Sequence, residues 1–224
     1  MNLVEQPELG DRERVFRDRR DAGRALADLV RTVAPPDALV LAVPAGGVPV
    51  AREVADRCGL PLDVAVVSKV TFPWNTESGY GAVAFDGSVL LDPARAATVG
   101  EQAVAQGIAA TRARVERRQR LFRGAAAPLA LAGRPAILVD DGIAAGLTMR
   151  AAVAAVRKAG AGRIVIAVPT AQWETLERLD ADVVVCPNVR AGYPFAVADA
   201  YLRWCDVDEE EALALLRPVS ARPD

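Results

Sequence analysis

The sequence predicts an α/β protein built on a doubly wound, mainly parallel sheet with helices on both faces. Short, uninterrupted apolar runs such as residues 38–43 (ALVLAV) and Ala136–Val139 are typical of strands buried on both faces of a sheet. The segments between these runs carry apolar residues at helical spacing, as residues 18–33 do. Strands of this kind that alternate with helices favour the α/β class, because helical crossovers join neighbouring parallel strands.

The order of the elements follows from the same patterns. Apolar runs predict strands at residues 38–43, 62–67, 136–139, 164–168 and 182–186. Helical spacing and Pro or Gly signals predict helices at residues 18–33, 48–57, 93–123, 147–159, 172–179 and 208–216. Asp86 and Gly87 predict a hairpin turn between residues 81–85 and 88–91, and residues 71–79 have the composition of a polar loop. We expect a flexible tail over residues 1–14 and a single domain over residues 15–224.

Composition and charge exclude several classes of function. The three cysteines form no CxxC pair and the chain has no histidine, which excludes a structural zinc site. The net charge of −2 gives no electrostatic reason to expect nucleic acid or an anionic membrane as a partner. No apolar run approaches the ~20 residues of a membrane helix, and the acidic N-terminus is unlike a signal peptide. We therefore expect a soluble cytoplasmic protein with buried, reduced thiols.

The stretch AILVDDGIAAGLTMRAAV, residues 136–153, carries the chemistry. A buried strand delivers Asp140 and Asp141 to its carboxyl end, where ligands bind in open α/β sheets. A loop with Gly142 and Gly146 follows, and a helix then starts with Thr148 in its first turn; N–H groups at such a helix start bind phosphate. The carboxylates would repel a phosphate but suit the hydroxyls of a ribose, with or without Mg²⁺. The alternative is a structural turn whose acids only cap or solvate it.

This arrangement resembles the binding motif of the type I phosphoribosyltransferases, and VLAVPAGGVPVAREVA (residues 40–55) looks like the pyrophosphate loop of that family. The resemblance implies that Asp140 and Asp141 hold the ribose hydroxyls of phosphoribosyl pyrophosphate, with Mg²⁺ as cofactor. It implies a cradle for the 5-phosphate made of Gly142, Ile143, Ala144, Ala145, Gly146, Leu147 and Thr148. It also implies contacts to pyrophosphate from Ala45, Gly46 and Gly47.

The family resemblance further implies a flap, which would cover residues 71–85 here. Trp74, Asn75, Glu77 and Tyr80 are its candidates to close over a substrate, although Trp74 could equally anchor the loop. Lys69 is a candidate to neutralise pyrophosphate as the bond to ribose breaks, so we group it with the two acids as catalytic; an ordinary surface lysine is the alternative.

The implied reaction transfers a phosphoribosyl group from phosphoribosyl pyrophosphate to a nitrogenous, nucleobase-like acceptor. The implied protein is a homodimer with a Rossmann-like sheet, a flap hairpin and a small hood. Three residues depart from the family: Ala45 where relatives often carry Arg, Ala144 where purine-salvage members carry Asp, and Ala145 where Thr is common. These departures leave open a non-catalytic regulatory protein that binds a phosphoribosyl ligand. A receiver-type phosphoryl-transfer site is disfavoured, because its paired acids would follow the first strand.

Other charged and aromatic residues have competing interpretations. The six arginines between residues 112 and 123 spread around a helix, which favours a solvated or subunit-facing surface over a nucleic-acid stripe. For Arg19 and its neighbours, surface charge is favoured over a phosphate contact. Core packing is favoured over base stacking for Phe195 and Tyr201.

Overall fold

The computed structural model describes residues 2–125 and 128–217, apart from the side chains of residues 76 and 77. Its strands are β1 (Asn2–Val4), β2 (Leu39–Ala42), β3 (Leu62–Val64), β4 (Val67–Phe72), β5 (Asn75–Ala84), β6 (Val89–Leu91), β7 (Ala136–Val139), β8 (Ile164–Ala167), β9 (Thr170–Gln172), β10 (Val183–Val185) and β11 (Asn188–Arg190). Its α-helices are α1 (Arg19–Val30), α2 (Gly47–Cys58), α3 (Pro93–Ala97), α4 (Glu101–Arg123), α5 (Leu147–Lys158), α6 (Trp173–Leu176) and α7 (Glu209–Leu216). Short 3₁₀ helices occupy Pro7–Leu9 and Val197–Ala200.

The main sheet confirms the predicted fold class. It has six strands in the order β1-β10-β8-β7-β2-β3, and every neighbouring pair is parallel. Every residue of β2, β7 and β8 is buried, as expected for strands covered on both faces. Alternate side chains divide between two apolar cores. Val40 and Val139 belong to the core that also contains residues of α1, α2 and α4, and Leu41 and Leu138 to the core that contains residues of α5. This doubly wound arrangement leaves the carboxyl ends of β2 and β7 side by side.

The N-terminal residues contribute to the sheet, where the sequence predicts a flexible tail. Strand β1 pairs in parallel with β10, with Leu3 opposite Val184, and so forms an edge of the main sheet. The 3₁₀ helix that follows is also tied down, because the Asn188 side-chain amide donates to the carbonyl of Leu9. A three-residue edge strand is too short to be recognised from apolar periodicity alone.

Two predicted elements are divided in the structure. The strand expected at residues 62–67 ends in the main sheet at Val64, and Val67 begins β4 in a separate antiparallel sheet. The helix expected at residues 93–123 is interrupted at Gly100, whose φ of 87° lies in the left-handed region that favours glycine. The side chain of Asp92 caps the first piece by accepting from Arg95 N–H at 3.0 Å.

The polar loop expected at residues 71–79 is a β-hairpin instead. Strands β4 and β5 are antiparallel, with Val67 opposite Ala84 and a tight turn at Pro73 and Trp74. Register shifts near Thr71 mark an irregularity that the sequence pattern did not show. The hairpin predicted around Asp86 and Gly87 is confirmed as the β5–β6 pair. The polar loop expected there is therefore part of the three-stranded antiparallel sheet β4-β5-β6.

Helix hydropathy and cysteine burial can be read directly from the structure. Among the described residues, no helix combines the length and apolarity needed to cross a membrane. Cys186 is buried and Cys58 is partly buried, but Cys205 is exposed, which corrects the expectation that all three thiols are buried. Cys205 lies in a segment with little regular structure, where the sequence offers no periodicity from which burial could be judged.

Candidate active site

A cavity of about 840 Å³ opens at the carboxyl end of the main sheet, beside the ends of β2 and β7. Its walls come from residues 140–149, from the β4–β5 hairpin, from α3 and α4, and from residues 195–198. In open α/β sheets this edge is where ligands bind. The predicted acids, the predicted phosphate loop and Lys69 thus face one shared space.

Asp140 and Asp141 lie where β7 ends, and their positions are fixed by the backbone around them. The Asp140 Oδ1 accepts a hydrogen bond from the Asp141 backbone N–H at 2.9 Å. A Cβ on Gly47 would lie 2.7 Å from the Val139 carbonyl oxygen, so the close approach of α2 to the acids requires glycine there. A Cβ on Gly46 would collide with the Asp141 carboxylate.

Arg19 holds Asp141 in a contact that the sequence interpretation missed. Its Nε donates to Asp141 Oδ2 at 2.8 Å, and the two side chains are only 10% and 15% exposed. A second guanidinium nitrogen donates to the carbonyl of Cys205 at 2.6 Å, and the guanidinium lies 3.8 Å from the ring centre of Trp204. The Tyr201 hydroxyl donates to the Asp141 carbonyl at 2.6 Å. Surface charge is therefore the wrong interpretation for Arg19, and Tyr201 packs in the core as expected.

The pKa values of the two acids are displaced in the same direction. Burial raises the pKa of Asp140 well above its ordinary value, and the neighbouring charge of Asp141 raises it further. Burial also raises the pKa of Asp141, although the Arg19 guanidinium opposes this effect. Two adjacent, poorly solvated carboxylates favour a proton, a cation or hydroxyl donors near them and disfavour a phosphate. The floor of the cavity is thus suited to a polyhydroxylated group.

The loop after the acids is built to lie close to its neighbours. Ile143 is buried and bonded on both sides, since its N–H donates to Thr170 and its carbonyl accepts from Gln172. A Cβ on Gly142 would collide with the side chain of Val197. Gly146 has a φ of 75°, a conformation that few other residues adopt, and it forms the N-cap of α5. The loop is consequently held in one defined path along the cavity wall.

The first turn of α5 borders the cavity, and its backbone N–H groups are not capped by a side chain of the described residues. Leu147 and Thr148 of this turn line the cavity. Ala144 and Ala145 are exposed, and the Thr175 hydroxyl holds the Ala144 carbonyl at 2.6 Å. Because N–H groups at a helix start attract anions, this end of the cavity is suited to a phosphate.

The turn after β2 packs against the two acids at the edge of the cavity. Val43 and Pro44 line the cavity, whereas Ala45, Gly46 and Gly47 are not part of its wall. The N–H of Gly47 donates to the Val43 carbonyl at 3.1 Å, so it does not point toward a ligand. The peptide bond between Pro44 and Ala45 is cis. The two glycines instead allow the turn to pack against the acids.

The candidates on the hairpin separate into different environments. Lys69 lines the cavity from β4, while Trp74 is 67% exposed at the hairpin turn and stacks on Phe72. Asn75 accepts a hydrogen bond from Ser78 N–H through its side chain. Tyr80 is fully buried near Gly107 of α4, which corrects its assignment to a surface that closes over substrate. The Glu77 side chain lies outside the described residues.

Three cations of the cavity wall were not predicted as site residues. Arg95 of α3 and Arg114 and Arg118 of α4 line the cavity on the side of the hairpin. The spread of arginines around α4 obscured them, because only the packing of the helix decides which of its faces meets the cavity. Phe195 and Trp204 also line the cavity, and Phe195 is only half-buried, so core packing is the wrong interpretation for Phe195.

The fold agrees with the relatives of the chain. The chain matches the family model "Phosphoribosyl transferase domain" over residues 18–202, and it belongs to that family. The predicted resemblance to phosphoribosyltransferases is thereby confirmed. The family match begins just before α1 and ends beyond Tyr201, so it includes Arg19, both acids and the loop of residues 142–148.

Particular relatives are similar at different levels. The chain is 38% identical over 207 residues to a Mycobacterium tuberculosis protein named "Putative phosphoribosyl transferase", an alignment that covers 91% of this chain and 46% of that protein. The chain thus spans about half the length of the curated relatives it matches. It is 41% identical to TT1426 from Thermus thermophilus, with a TM-score of 0.69 and coverage of 90% of this chain and 97% of that one. AQ2163 from Aquifex aeolicus shares the fold alone. It is 11% identical, with a TM-score of 0.50 and coverage of 82% of this chain and 78% of that one.

Proposed function

We propose that the protein transfers a 5-phosphoribosyl group from phosphoribosyl pyrophosphate to a nitrogenous, nucleobase-like acceptor. The observation that carries this proposal is the joint exposure of the acids, the loop and the start of α5 in one cavity. The acids suit ribose hydroxyls, and the first turn of α5 with Thr148 suits the 5-phosphate. Family membership supports a transferase of this general type.

The proposed reaction depends on position and charge. The bond between ribose C1 and the diphosphate oxygen breaks, its electron pair leaves with pyrophosphate, and the acceptor nitrogen bonds to C1. Asp140 and Asp141 would orient the ribose and stabilise positive charge that develops on it, while Lys69 would stabilise negative charge on pyrophosphate. Since the chain has no histidine, a carboxylate or lysine must act as any general base, or the acceptor arrives nucleophilic.

Mg²⁺ is proposed as a cofactor that arrives with the donor. Within the described part of the chain, no group of three or more His, Cys, Asp or Glu side chains could hold a metal ion. The two carboxylates of the cavity floor can supply oxygen ligands, but Arg19 already occupies one oxygen of Asp141. Bound there with the donor, Mg²⁺ would neutralise diphosphate charge.

A homodimer in the cytoplasm is the expected setting, on the basis of the sequence and the resemblance.

The proposal is tested by binding and turnover measured on the same preparation. Titration calorimetry should show binding of ribose 5-phosphate, and of phosphoribosyl pyrophosphate with Mg²⁺. Release of pyrophosphate should then depend on an acceptor from a panel of nucleobases and related nitrogen heterocycles. Failure of the folded protein to bind either ligand would contradict the proposal. Binding without turnover across the panel would favour a regulatory protein, the alternative that Ala45, Ala144 and Ala145 support.

Ala145→Thr is expected to tighten binding of ribose 5-phosphate by about 1–2 kcal/mol. Ala145 is exposed in the loop before α5, where an added hydroxyl would give the phosphate another donor. Titration calorimetry measures the change. Ala154→Thr is the matched control, because Ala154 is exposed later in α5, and it should leave the affinity unchanged. A neutral or harmful effect at Ala145 would show that the phosphate does not lie beside this residue.

Lys69→Ala is expected to lower turnover about tenfold while ribose 5-phosphate affinity stays nearly constant. The lysine lines the cavity from β4 and is assigned to the departing pyrophosphate, which ribose 5-phosphate lacks. Steady-state kinetics and calorimetry on the same variant separate the two effects. Lys158→Ala is the control, since Lys158 pairs with Asp86 elsewhere on the surface and should leave both quantities unchanged. Equal losses in turnover and ribose 5-phosphate affinity would contradict the assignment of Lys69.

A further inference from the structure

The side of the cavity near the hairpin is lined by four cationic side chains. Arg114 and Arg118 lie one helical turn apart on α4. Lys69 lines the same space, as does Arg95, which forms an ion pair with Asp92 at 3.6 Å. The cavity's two carboxylates lie at its other side, at the end of β7, and Asp141 is already paired with Arg19. Like charges spaced four residues apart on a helix destabilise it unless an opposite charge compensates.

The acids near α4 leave this charge only partly compensated. Glu209 accepts hydrogen bonds from two nitrogens of Arg117, at 2.7 and 2.6 Å. The same carboxylate lies 3.1 Å from the Arg118 Nε, which is close enough for an ion pair but misaligned for a hydrogen bond. Among the described residues, Arg114 has no ion-pair partner. One carboxylate therefore serves two arginines, and a third arginine faces the cavity beside them.

Arg118 is held in this position by packing. Its side chain is 13% exposed, and its guanidinium lies 5.4 Å from the ring centre of Phe122. Burial lowers the pKa of Arg118, and the charges of Arg117 and Arg114 add to this effect against the opposing charge of Glu209. A buried cation kept beside another cation is more stable when an anion binds between them. Arg114 and Arg118 both border the cavity, so an anion could reach them from there.

We propose that Arg114 and Arg118 bind a diphosphate group, with Arg95 beside them. Two guanidinium groups one turn apart can each contact one phosphate of a diphosphate, and the planar fork of arginine matches phosphate oxygens. The turn at residues 45–47 is absent from the cavity wall, and Ala45 offers no cation. Arg114 and Arg118 would therefore supply cationic contacts to a diphosphate that Ala45 does not. The placement of this group as the donor's leaving pyrophosphate rests on the proposed function.

Arg114→Gln tests the inference with inorganic pyrophosphate as the probe. Calorimetry in the presence of Mg²⁺ should show pyrophosphate binding weakened about fivefold or more, with ribose 5-phosphate affinity unchanged within about twofold. Arg114 is the cleaner variant because it is exposed and its removal breaks no ion pair among the described residues. Arg112→Gln is the matched control: it removes the same charge from α4, but Arg112 lines a separate hollow with Val89 and Ile108. Both affinities should be unchanged in that control.

Arg118→Gln provides a second measurement, but it both removes a cation from the cavity and breaks the ion pair with Glu209. Glu209→Gln breaks the same ion pair while it keeps the cation. Arg118→Gln should also weaken pyrophosphate, whereas Glu209→Gln removes a competing anion and should leave pyrophosphate binding equal or tighter. Unchanged pyrophosphate affinity in both arginine variants would overturn the inference, as would an equal loss of ribose 5-phosphate affinity, which indicates a general field effect. If the unaltered protein does not bind ribose 5-phosphate, the proposed function alone is contradicted. Weaker pyrophosphate binding in the two arginine variants, but not in the Arg112→Gln control, would still support the inference.

Discussion

Asp140→Asn is expected to weaken binding of phosphoribosyl pyrophosphate by about 30-fold, or ~2 kcal/mol, because a charged acceptor for a ribose hydroxyl is lost. The substitution preserves the local geometry, since an amide oxygen can still accept the Asp141 N–H that lies 2.9 Å from Asp140 Oδ1. Calorimetry with Mg²⁺ measures the effect. Wild-type affinity in a folded Asp140→Asn protein would contradict the ribose-binding role of this acid.

The same substitution is expected to stabilise the fold at neutral pH. Burial raises the pKa of Asp140, so between the ordinary value of about 3.9 and the raised value the folded chain binds more protons than the unfolded chain. The free energy of unfolding of the unaltered protein therefore falls as pH rises through this window. Thermal melts between pH 4 and 8 should show that this part of the dependence is lost in Asp140→Asn. Asp37→Asn changes an exposed acid and should keep the pH dependence of stability that the unaltered protein has. The same pH dependence in the unaltered protein, Asp140→Asn and Asp37→Asn would contradict the raised pKa of Asp140.

The main sheet and the glycine loop after β7 were predictable because their sequence signals are local. Continuous apolar runs identified β2, β7 and β8. The cavity at the end of β7 was located from a strand that is followed directly by two acids and a glycine loop. Burial on both faces dictates such runs whatever the remainder of the chain does. Gly146 and Gly100 also carried readable signals, although the second was not recognised as a break in the helix.

The missed features depend on contacts between distant parts of the chain. Arg19 and Asp141 are 122 positions apart, so no local pattern shows that they pair. Arg114 and Arg118 differ from the other arginines of α4 only in the direction that the packed helix gives them. Tyr80 was assigned to a surface loop because its neighbours are polar, yet the hairpin turns its ring beneath α4. In each case tertiary packing decides what composition leaves open.

The contact between Arg19 and Asp141 should also be the ion pair whose loss affects stability most. Arg19→Ala is expected to lower the free energy of unfolding by about 3 kcal/mol at neutral pH, because removing one partner of a buried pair leaves an uncompensated charge. Both side chains are at least 85% buried, and the same guanidinium holds the Cys205 carbonyl and stacks on Trp204. Denaturant unfolding measures the loss, and Trp204 should report the lost stacking through a change in fluorescence. Arg20→Ala, at the exposed neighbouring arginine, is the control and should change stability by less than about 0.5 kcal/mol.

A double-mutant cycle distinguishes a lost charge pair from lost packing in Arg19→Ala. If the unpaired Asp141 carboxylate causes the loss, then adding Asp141→Asn should recover part of it, because the buried charge is gone. The loss should also shrink as pH falls. Without Arg19, burial is opposed less and raises the pKa of Asp141 further, so as pH falls the acid takes up a proton in the folded variant before it does in the unfolded chain. Unfolding of Arg19→Ala at pH 7 and near pH 4.5 tests that sign. A loss that is the same at both pH values and additive in the double variant would show that Arg19 acts through its contacts with Trp204 and Cys205, and that Asp141 does not depend on it.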